Sequence, residues 1–308
     1  MSYTTDRRGV LSKSHRSLYD SPLRGMLYLL PGLAIYVLFV LIPVVQTIIL
    51  SFMEWSGMGA KRFVGLANYI ELFGDPIFFR SLANNAVLVL FIMVLPTLLG
   101  LALATIIELN DLAWRKLYET AFFMPYILSL VVVAVIWRWI YNPAFGVLNE
   151  LLAKVGLASL KRAWLGDSST ALASVGVTGT WVNYGFAMVI FLSGYQTIPP
   201  SLYDAVSLDG GGNLHKLWYV ALPSLVNEIM VVSVFLFINS LKTFDLVYVM
   251  TKGGPGYATN VLSLYVFKNA FQYNRNGYAA ALAVTLMLII FAITVTVTRL
   301  RSHYEQNR

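Results

Sequence analysis

Residues 198–223 read Ile198 to Pro223, IPPSLYDAVSLDGGGNLHKLWYVALP, between two long apolar runs. A connection in that place should face water, yet its residues are not those of a slack linker. Pro199 and Pro200 stop the preceding helix, because proline cannot donate to the ladder and its ring disfavours helix in the residue before it. Ser201 and Asp204 have the S-x-x-D spacing with which a hydroxyl and a carboxylate take up free N–H groups at a helix start. Leu202, Ala205, Val206 and Leu208 then recur at helical spacing as a short apolar stripe. Asp209 with Gly210, Gly211 and Gly212 ends that helix and allows a sharp reversal. Asn213 stands where it can cap a second helix, which runs through Leu217 and Trp218 to Leu222 and Pro223. A short helix, a glycine turn and a second helix make a rigid knob at a membrane edge. It is either a docking element for another protein or an ordinary ordered loop.

The membrane follows from composition. The chain has 308 residues, of which 58% are hydrophobic and 12% charged, with mean hydropathy +0.69. A soluble domain of this length exposes far more charge. A bilayer core of about 30 Å needs about 20 apolar residues per helix, and a lipid-facing backbone must satisfy itself, which favours helices. The chain is therefore expected to be all-α, a polytopic membrane protein. The absence of cysteine excludes disulfides and thiolate metal sites. Net charge +7 and a pI near 9.5 fit retention of Lys and Arg in cytoplasmic segments rather than nucleic-acid binding.

Six transmembrane helices are expected, at about 26–52, 82–107, 120–141, 171–197, 222–250 and 278–298. The first run lacks a cleavage site and reads as a retained span. Pro43 predicts a kink in it, and Pro96 interrupts the second span. Asn84 and Asn85 stand at the entrance of that second span. The third carries Pro125 early and Trp137-Arg138-Trp139 late, with Arg138 read as snorkelling between the two tryptophans or as functional. A short helix is expected around Val147 to Val155. The fourth span is rich in small residues, including Gly176, Gly179, Gly185 and Gly194, which let helices approach closely in lipid, so it should lie inside the bundle. The fifth is too long for one straight crossing and should break near Ser240 to Phe244. The even count puts both ends on one side, and the denser Lys and Arg of the shorter loops favour the cytoplasmic side. The division is then a tail at 1–24, a membrane-spanning body at 25–300 and a tail at 301–308.

The 198–223 stretch resembles the EAA loop of the permease subunits of binding-protein-dependent ABC importers. Asp204-Ala205-Val206 stands for E-A-A, Asp209-Gly210-Gly211 for D-G-A, and Val220-Ala221-Leu222-Pro223 for I-x-L-P. The departures keep charge, smallness and turn capacity. Leu66-Ala67-Asn68-Tyr69, Trp137-Arg138-Trp139 with Asn142-Pro143, Phe244-Asp245-Leu246 with Thr251-Lys252-Gly253-Gly254-Pro255, and Gly277-Tyr278-Ala279-Ala280-Ala281 extend the likeness over residues 20–300. They are similar to the MalF/UgpA-like side of the carbohydrate importers, which implies the type I ABC importer (MetI-like) permease fold. The resemblance also implies a second permease subunit, two ATPase subunits carrying ATP and Mg, an extracytoplasmic solute-binding protein, and residence in a bacterial or archaeal inner membrane. The ATPase-coupling residues it marks are Asp204, Ala205, Asp209, Gly210 and Gly211.

The chain contains no G-x-x-x-x-G-K-[ST], so nucleotide must bind elsewhere, and no catalytic residue or cofactor is expected here. His15, His215 and His303 all fall outside the spans, so no metal site is expected. A sugar path needs amides or hydroxyls for hydroxyl groups and aromatic faces for the ring. On the resemblance to maltose-type permeases, Tyr126, Asn183, Phe186, Asn239, Ser240 and Thr243 are carried over as path residues, against the plainer reading of packing contacts. Lys242 and Asp245, three apart on one helical face, are read as a gate pair or a structural ion pair. Glu228 is read as reaching water. The rival readings are an ion-coupled carrier, a structural or channel-forming protein, and a permease for a non-sugar solute such as a glycerol phosphate.

Overall fold

The computed structural model describes residues 22–110 and 112–306, with side chains described from 28 to 299 apart from 111. The expected basic tail, with its His15, and the side chain of His303 lie outside these. The described residues fall into two units that meet between Ile49 and Leu50. The first is helix α1, residues 22–50 less its last residue, and its apolar stretch Tyr28–Leu50 is long enough to cross a membrane.

The second unit opens with a small hairpin, β1 (Met53–Glu54) antiparallel to β2 (Arg62–Phe63). Then come α2 (Ala67–Gly74), α3 (Pro76–Leu109), α4 (Arg115–Ile127), α5 (Leu130–Ile140) and α6 (Val147–Lys154). They are followed by α7 (Ala171–Tyr195), α8 (Pro200–Leu208), α9 (Asn213–Ser224) and α10 (Val226–Leu241). The last three are α11 (Asp245–Met250), α12 (262–272) and α13 (Asn276–Gln306). The only strands among the described residues are the two of the hairpin, so the fold is all-α in substance.

Among the described residues, four helices are long and apolar enough to cross a membrane, and the count reaches the expected six if each of two bent pairs is one span. One pair is α4 with α5, bent by 96°. The other is α9 with α10, bent by 70°. The third expected span is thus a corner at Leu128 and Ser129, both extended. Neither position holds glycine or proline, so no local breaker marked it in the sequence. The fifth expected span begins at Val226, after buried Leu225, and Leu222-Pro223 belongs to the segment before the bend. The expected break does occur: α10 ends at Leu241 and α11 starts at Asp245.

Three of the internal prolines are absorbed by widened turns. A five-residue π turn, Val37–Leu41, precedes Pro43; Leu90–Val94 precedes Pro96; Leu217–Ala221 precedes Pro223. In each, the residue just before the proline donates to the carbonyl five residues back, which opens the helix where the ring would clash. The kink expected at Pro43 is therefore a wide turn inside a continuous helix.

Helix α7 is the axis of the second unit, with 67% of its apolar window buried against 22% for α3 and for α13. Its glycines make this approach possible. A Cβ on Gly185 would lie 2.0 Å from the Phe122 carbonyl oxygen, so the backbones of α4 and α7 touch there. Apolar clusters stack along the bundle. One, around Phe191, Tyr195 and Leu225, lies at the α8 end. Another joins Leu88, Ile92, Val175 and Leu246. A third joins Leu72, Phe78, Leu262 and Leu282 at the end carrying the hairpin. Buried Asn68 secures the hairpin by donating to the carbonyls of Ser51 at 2.8 Å and Met53 at 2.9 Å.

Candidate functional site

The α8–α9 knob is built by its turn. Pro200 is the first residue of α8, so the proline that was expected to stop a helix also starts one; its missing N–H would have been unpaired anyway. Ser201 therefore lies within the first turn, and neither it nor Asp204 caps the helix. At the other end, Gly210 donates to Ser207 at 3.1 Å and Gly211 to Val206 at 2.8 Å, the paired bonds of a Schellman turn. Gly210 has φ +79°, and a Cβ on Gly211 would meet Val206 Cγ1 at 2.6 Å. Two consecutive glycines are thus required, one for conformation and one for space. Asn213 does not cap α9, whose cap position is Gly212; its amide instead contacts Asn110 Oδ1 at 3.4 Å.

Of the expected stripe, only Val206 turns inward. Val206 and Tyr203 pack on the Phe191 and Tyr195 cluster, while Asp204, Ala205 and Asp209 are exposed and Leu208 is 89% exposed. The Tyr203 hydroxyl is buried without a hydrogen-bond partner among the described residues. Burial, then the nearby Tyr195 and Glu108, push this phenol up to about 12. Beside it, the Tyr195 hydroxyl pairs with Thr105 Oγ1 at 2.7 Å, and Arg115 bridges Glu108 at 2.6 Å and Glu119 at 2.9 Å.

At the broken end of α10 lies a cavity of about 460 Å³. It brings together Tyr126, Asn183, Asn239, Lys242, Thr243 and Asp245, with Ile92, Leu130, Val182, Phe244 and Leu246 as apolar wall. Asn183 spends its amide donor on the Gly179 carbonyl at 2.7 Å, which leaves its Oδ1 as an acceptor. Thr243 donates to the Asn239 carbonyl at 2.9 Å. Two path residues are placed differently from the rest. Phe186 stands behind the cavity, stacked on Tyr126 at 4.9 Å and tilted against Phe235 at 4.8 Å. Ser240 is fully buried and donates to Phe237 at 2.7 Å, so it closes a helix end rather than facing the space. Lys242 and Asp245 do not share a helical face, since Lys242 caps α10 and Asp245 opens α11. They face one cavity, and the ion pairs among the described residues do not include them.

Residues 77–305 match the family described as "Binding-protein-dependent transport system inner membrane component". The chain belongs to that family. Among its relatives, the probable ABC transporter permease protein YurN of Bacillus subtilis is 37% identical over 87% of this chain and 92% of its own length. The sulfoquinovosyl glycerol transport system permease protein SmoG of Agrobacterium fabrum is 31% identical over 90% of each chain. A solved bacterial ABC transporter for the acidic polysaccharide alginate has a chain that superposes with TM-score 0.78, at 23% identity, covering 91% of this chain and 95% of that one. The fold is accordingly that of type I ABC importer permeases. The chain is an inner membrane transport component, which sets aside the ion-coupled carrier and the passive channel.

Within this permease fold, several residues that matter were not singled out from sequence. Tyr203 fastens the knob, and its signal was its place three residues before Val206. Phe244 and Leu130 line the cavity only because chain breaks turn them there. Arg138 donates to the Val249 carbonyl at 3.3 Å, and its tryptophan neighbours differ: Trp137 packs on Tyr141 and Trp181, while Trp139 is exposed. Glu228 is half-buried, and its Oε2 is buried with no hydrogen-bond partner among the described residues.

Proposed function

We propose that this chain is one of two permease subunits of an ATP-driven importer for a carbohydrate. Two separate ATPase subunits carry ATP and Mg and hydrolyse the nucleotide, and an extracytoplasmic solute-binding protein delivers the solute. Both termini and the α8–α9 knob face the cytoplasm. One observation carries this reading: α8 is pinned inward by Tyr203 and Val206, while its opposite face offers Asp204 and Leu208. A short helix held rigidly on one side and bare on the other is suited to pass motion from a docked subunit into the bundle. ATP binding would then rock the helices and expose the cavity alternately to each side.

The cavity supports a polyhydroxylated solute. The Asn183 Oδ1, the Asn239 side chain and Thr243 offer donors and acceptors for hydroxyl groups, and Tyr126 offers an aromatic face. The naming of SmoG for sulfoquinovosyl glycerol transport supports the same class. A second reading, an anionic solute such as a glycerol phosphate, rests on Lys242 lining the cavity with no ion pair to a carboxylate among the described residues.

The test is purification of the chain with its companion subunits. ATPase chains should copurify with the parent, and Asp204→Lys should release them. Unchanged ATP hydrolysis by an intact Asp204→Lys assembly would remove the coupling role.

A further inference from the structure

Consecutive asparagines on α3, Asn84 and Asn85, are buried to 4% and 0% exposure and join two regions far apart in the chain. Asn85 spends both ends of its amide on helix termini. Its Nδ2 donates to the carbonyls of Ser240 and Leu241, each at 3.3 Å, where α10 stops and leaves acceptors without a following turn. Its Oδ1 accepts from the N–H of Leu262 at 2.9 Å, the first residue of α12. Asn84 donates to the carbonyls of Tyr257 at 3.1 Å and Asn260 at 2.8 Å, in the loop between α11 and α12. Asn260 in turn donates to Ser81 Oγ at 2.8 Å and accepts from Lys268 Nζ at 3.0 Å. One turn of α3 therefore grips the loop on one side and the end of α10 on the other. That end leads directly into Lys242, Thr243 and Asp245 of the cavity wall.

We propose that Asn84 and Asn85 are the positioning joint through which the 251–262 loop sets the cavity-lining turn at 241–245. This rests on the importer reading above and assigns that loop to the face on which the solute-binding protein docks. The physical argument is that the turn hangs on two attachments, Ser263 of α12 donating to the Thr243 carbonyl and Asn85 donating to the carbonyls of Ser240 and Leu241. It is a helix break, its carbonyls need donors, and a buried amide supplies them only while α12 keeps the Asn85 side chain in place. A shift of the loop that moves Leu262 or Asn260 is thereby felt at Leu241. Asn85 touches no solute in this scheme and acts through the turn.

Asn85→Asp tests it, because the carboxylate keeps the acceptor for Leu262 and loses the donor for Ser240 and Leu241. Asn85→Gln keeps both functions and serves as the conservative rescue. Each is made in the full complex in proteoliposomes, and stimulation of ATP hydrolysis by solute-loaded binding protein is measured along with uptake. In Asn85→Asp the stimulation should fall about tenfold, the size of effect expected when a buried donor shared by two carbonyls is lost. The half-saturating concentration of binding protein should stay as in the parent, and Asn85→Gln should recover part of the loss. A spin label on Lys242→Cys, in a chain without other cysteines, should change spectrum on adding loaded binding protein in the parent and not in Asn85→Asp. Should Asn85→Asp fail to assemble, Asn84→Asp, which leaves every bond of Asn85 in place, carries the same label and should also silence it. Parent-like stimulation, or a parent-like label response in either variant, overturns the joint. A parent complex that binding protein does not stimulate overturns the importer reading instead.

Discussion

The backbone N–H of Gly211 meets the carbonyl of Val206 at 2.8 Å, and this bond decides where α8 ends and where its outer face points. Gly210→Ala forces an L-residue into φ +79°, at a cost of about 1–2 kcal/mol. Gly211→Val sets a branched side chain where a Cβ alone already meets Val206 Cγ1 at 2.6 Å. Both should loosen the knob while leaving the bundle folded. Faster amide exchange confined to 200–212 and weaker retention of the ATPase would show it. Unchanged exchange would mean the turn is not what holds α8.

Tyr203 and Tyr195 sit side by side and should respond oppositely to losing a hydroxyl. The Tyr203 hydroxyl is buried without a partner among the described residues, whereas that of Tyr195 pairs with Thr105 at 2.7 Å. Tyr203→Phe removes an unsatisfied group and should be neutral or stabilising by up to about 1 kcal/mol. Tyr195→Phe removes one made hydrogen bond, leaving Thr105 only its bond to the Leu101 carbonyl at 2.8 Å, and should cost about 1 kcal/mol. Thermal unfolding in detergent, compared pairwise, checks the difference in sign.

Asn239 and Ser240 are neighbours in sequence with opposite surroundings. Asn239 lines the cavity, and Ser240 is sealed inside the bundle. Asn239→Ala should raise the KM of uptake about fivefold to tenfold without loss of assembled complex, the value of one or two hydrogen bonds to solute. Ser240→Ala should leave KM within about twofold and lower thermal stability by about 1 kcal/mol. Equal KM values for the two variants would dissolve the distinction.

These three cases also mark what the sequence made legible. Crossings at α3, α7 and α13 follow from apolar length, and the burial of α7 from its small residues. The break after Leu241 follows from a run too long to cross once. The glycine turn is local chemistry and reads directly. The corners at Leu128 and Leu225 do not read, because packing imposes them without a breaker residue. Lys242 and Asp245 were spaced for one face only on the assumption of continuous helix. Ser240 shared the polarity of Asn239 but not its side of the helix, and no periodicity within one short segment separates the two. Asn84 and Asn85 were visible as polar residues at a helix entrance, while their partners lie about 155 to 177 positions along the chain.

At the hairpin end, Asp75 should make stability depend on acid. Burial works to raise its carboxyl pKa, but hydrogen bonds from the Tyr265 and Tyr278 hydroxyls and the N–H groups of Ile77 and Phe78 outweigh it, and the carboxyl lies below its ordinary 3.8. A depressed carboxyl stabilises the fold fully above the ordinary value and loses that contribution as pH falls through the lower folded value. Unfolding midpoints of the parent and Asp75→Asn should therefore differ at neutral pH and converge below about pH 4. A gap constant with pH would mean Asp75 does not ionise as described.

The side of the membrane on which α8 lies is the point on which the coupling account stands. With cysteine absent from the chain, Leu208→Cys, at a position 89% exposed, gives one reactive thiol on the outer face of the knob. A membrane-impermeant maleimide should leave it unlabelled in intact cells, label it in inside-out vesicles stripped of the ATPase, and be blocked when the ATPase is restored. Labelling from the outside of intact cells, or labelling in vesicles that the ATPase does not block, would contradict the account.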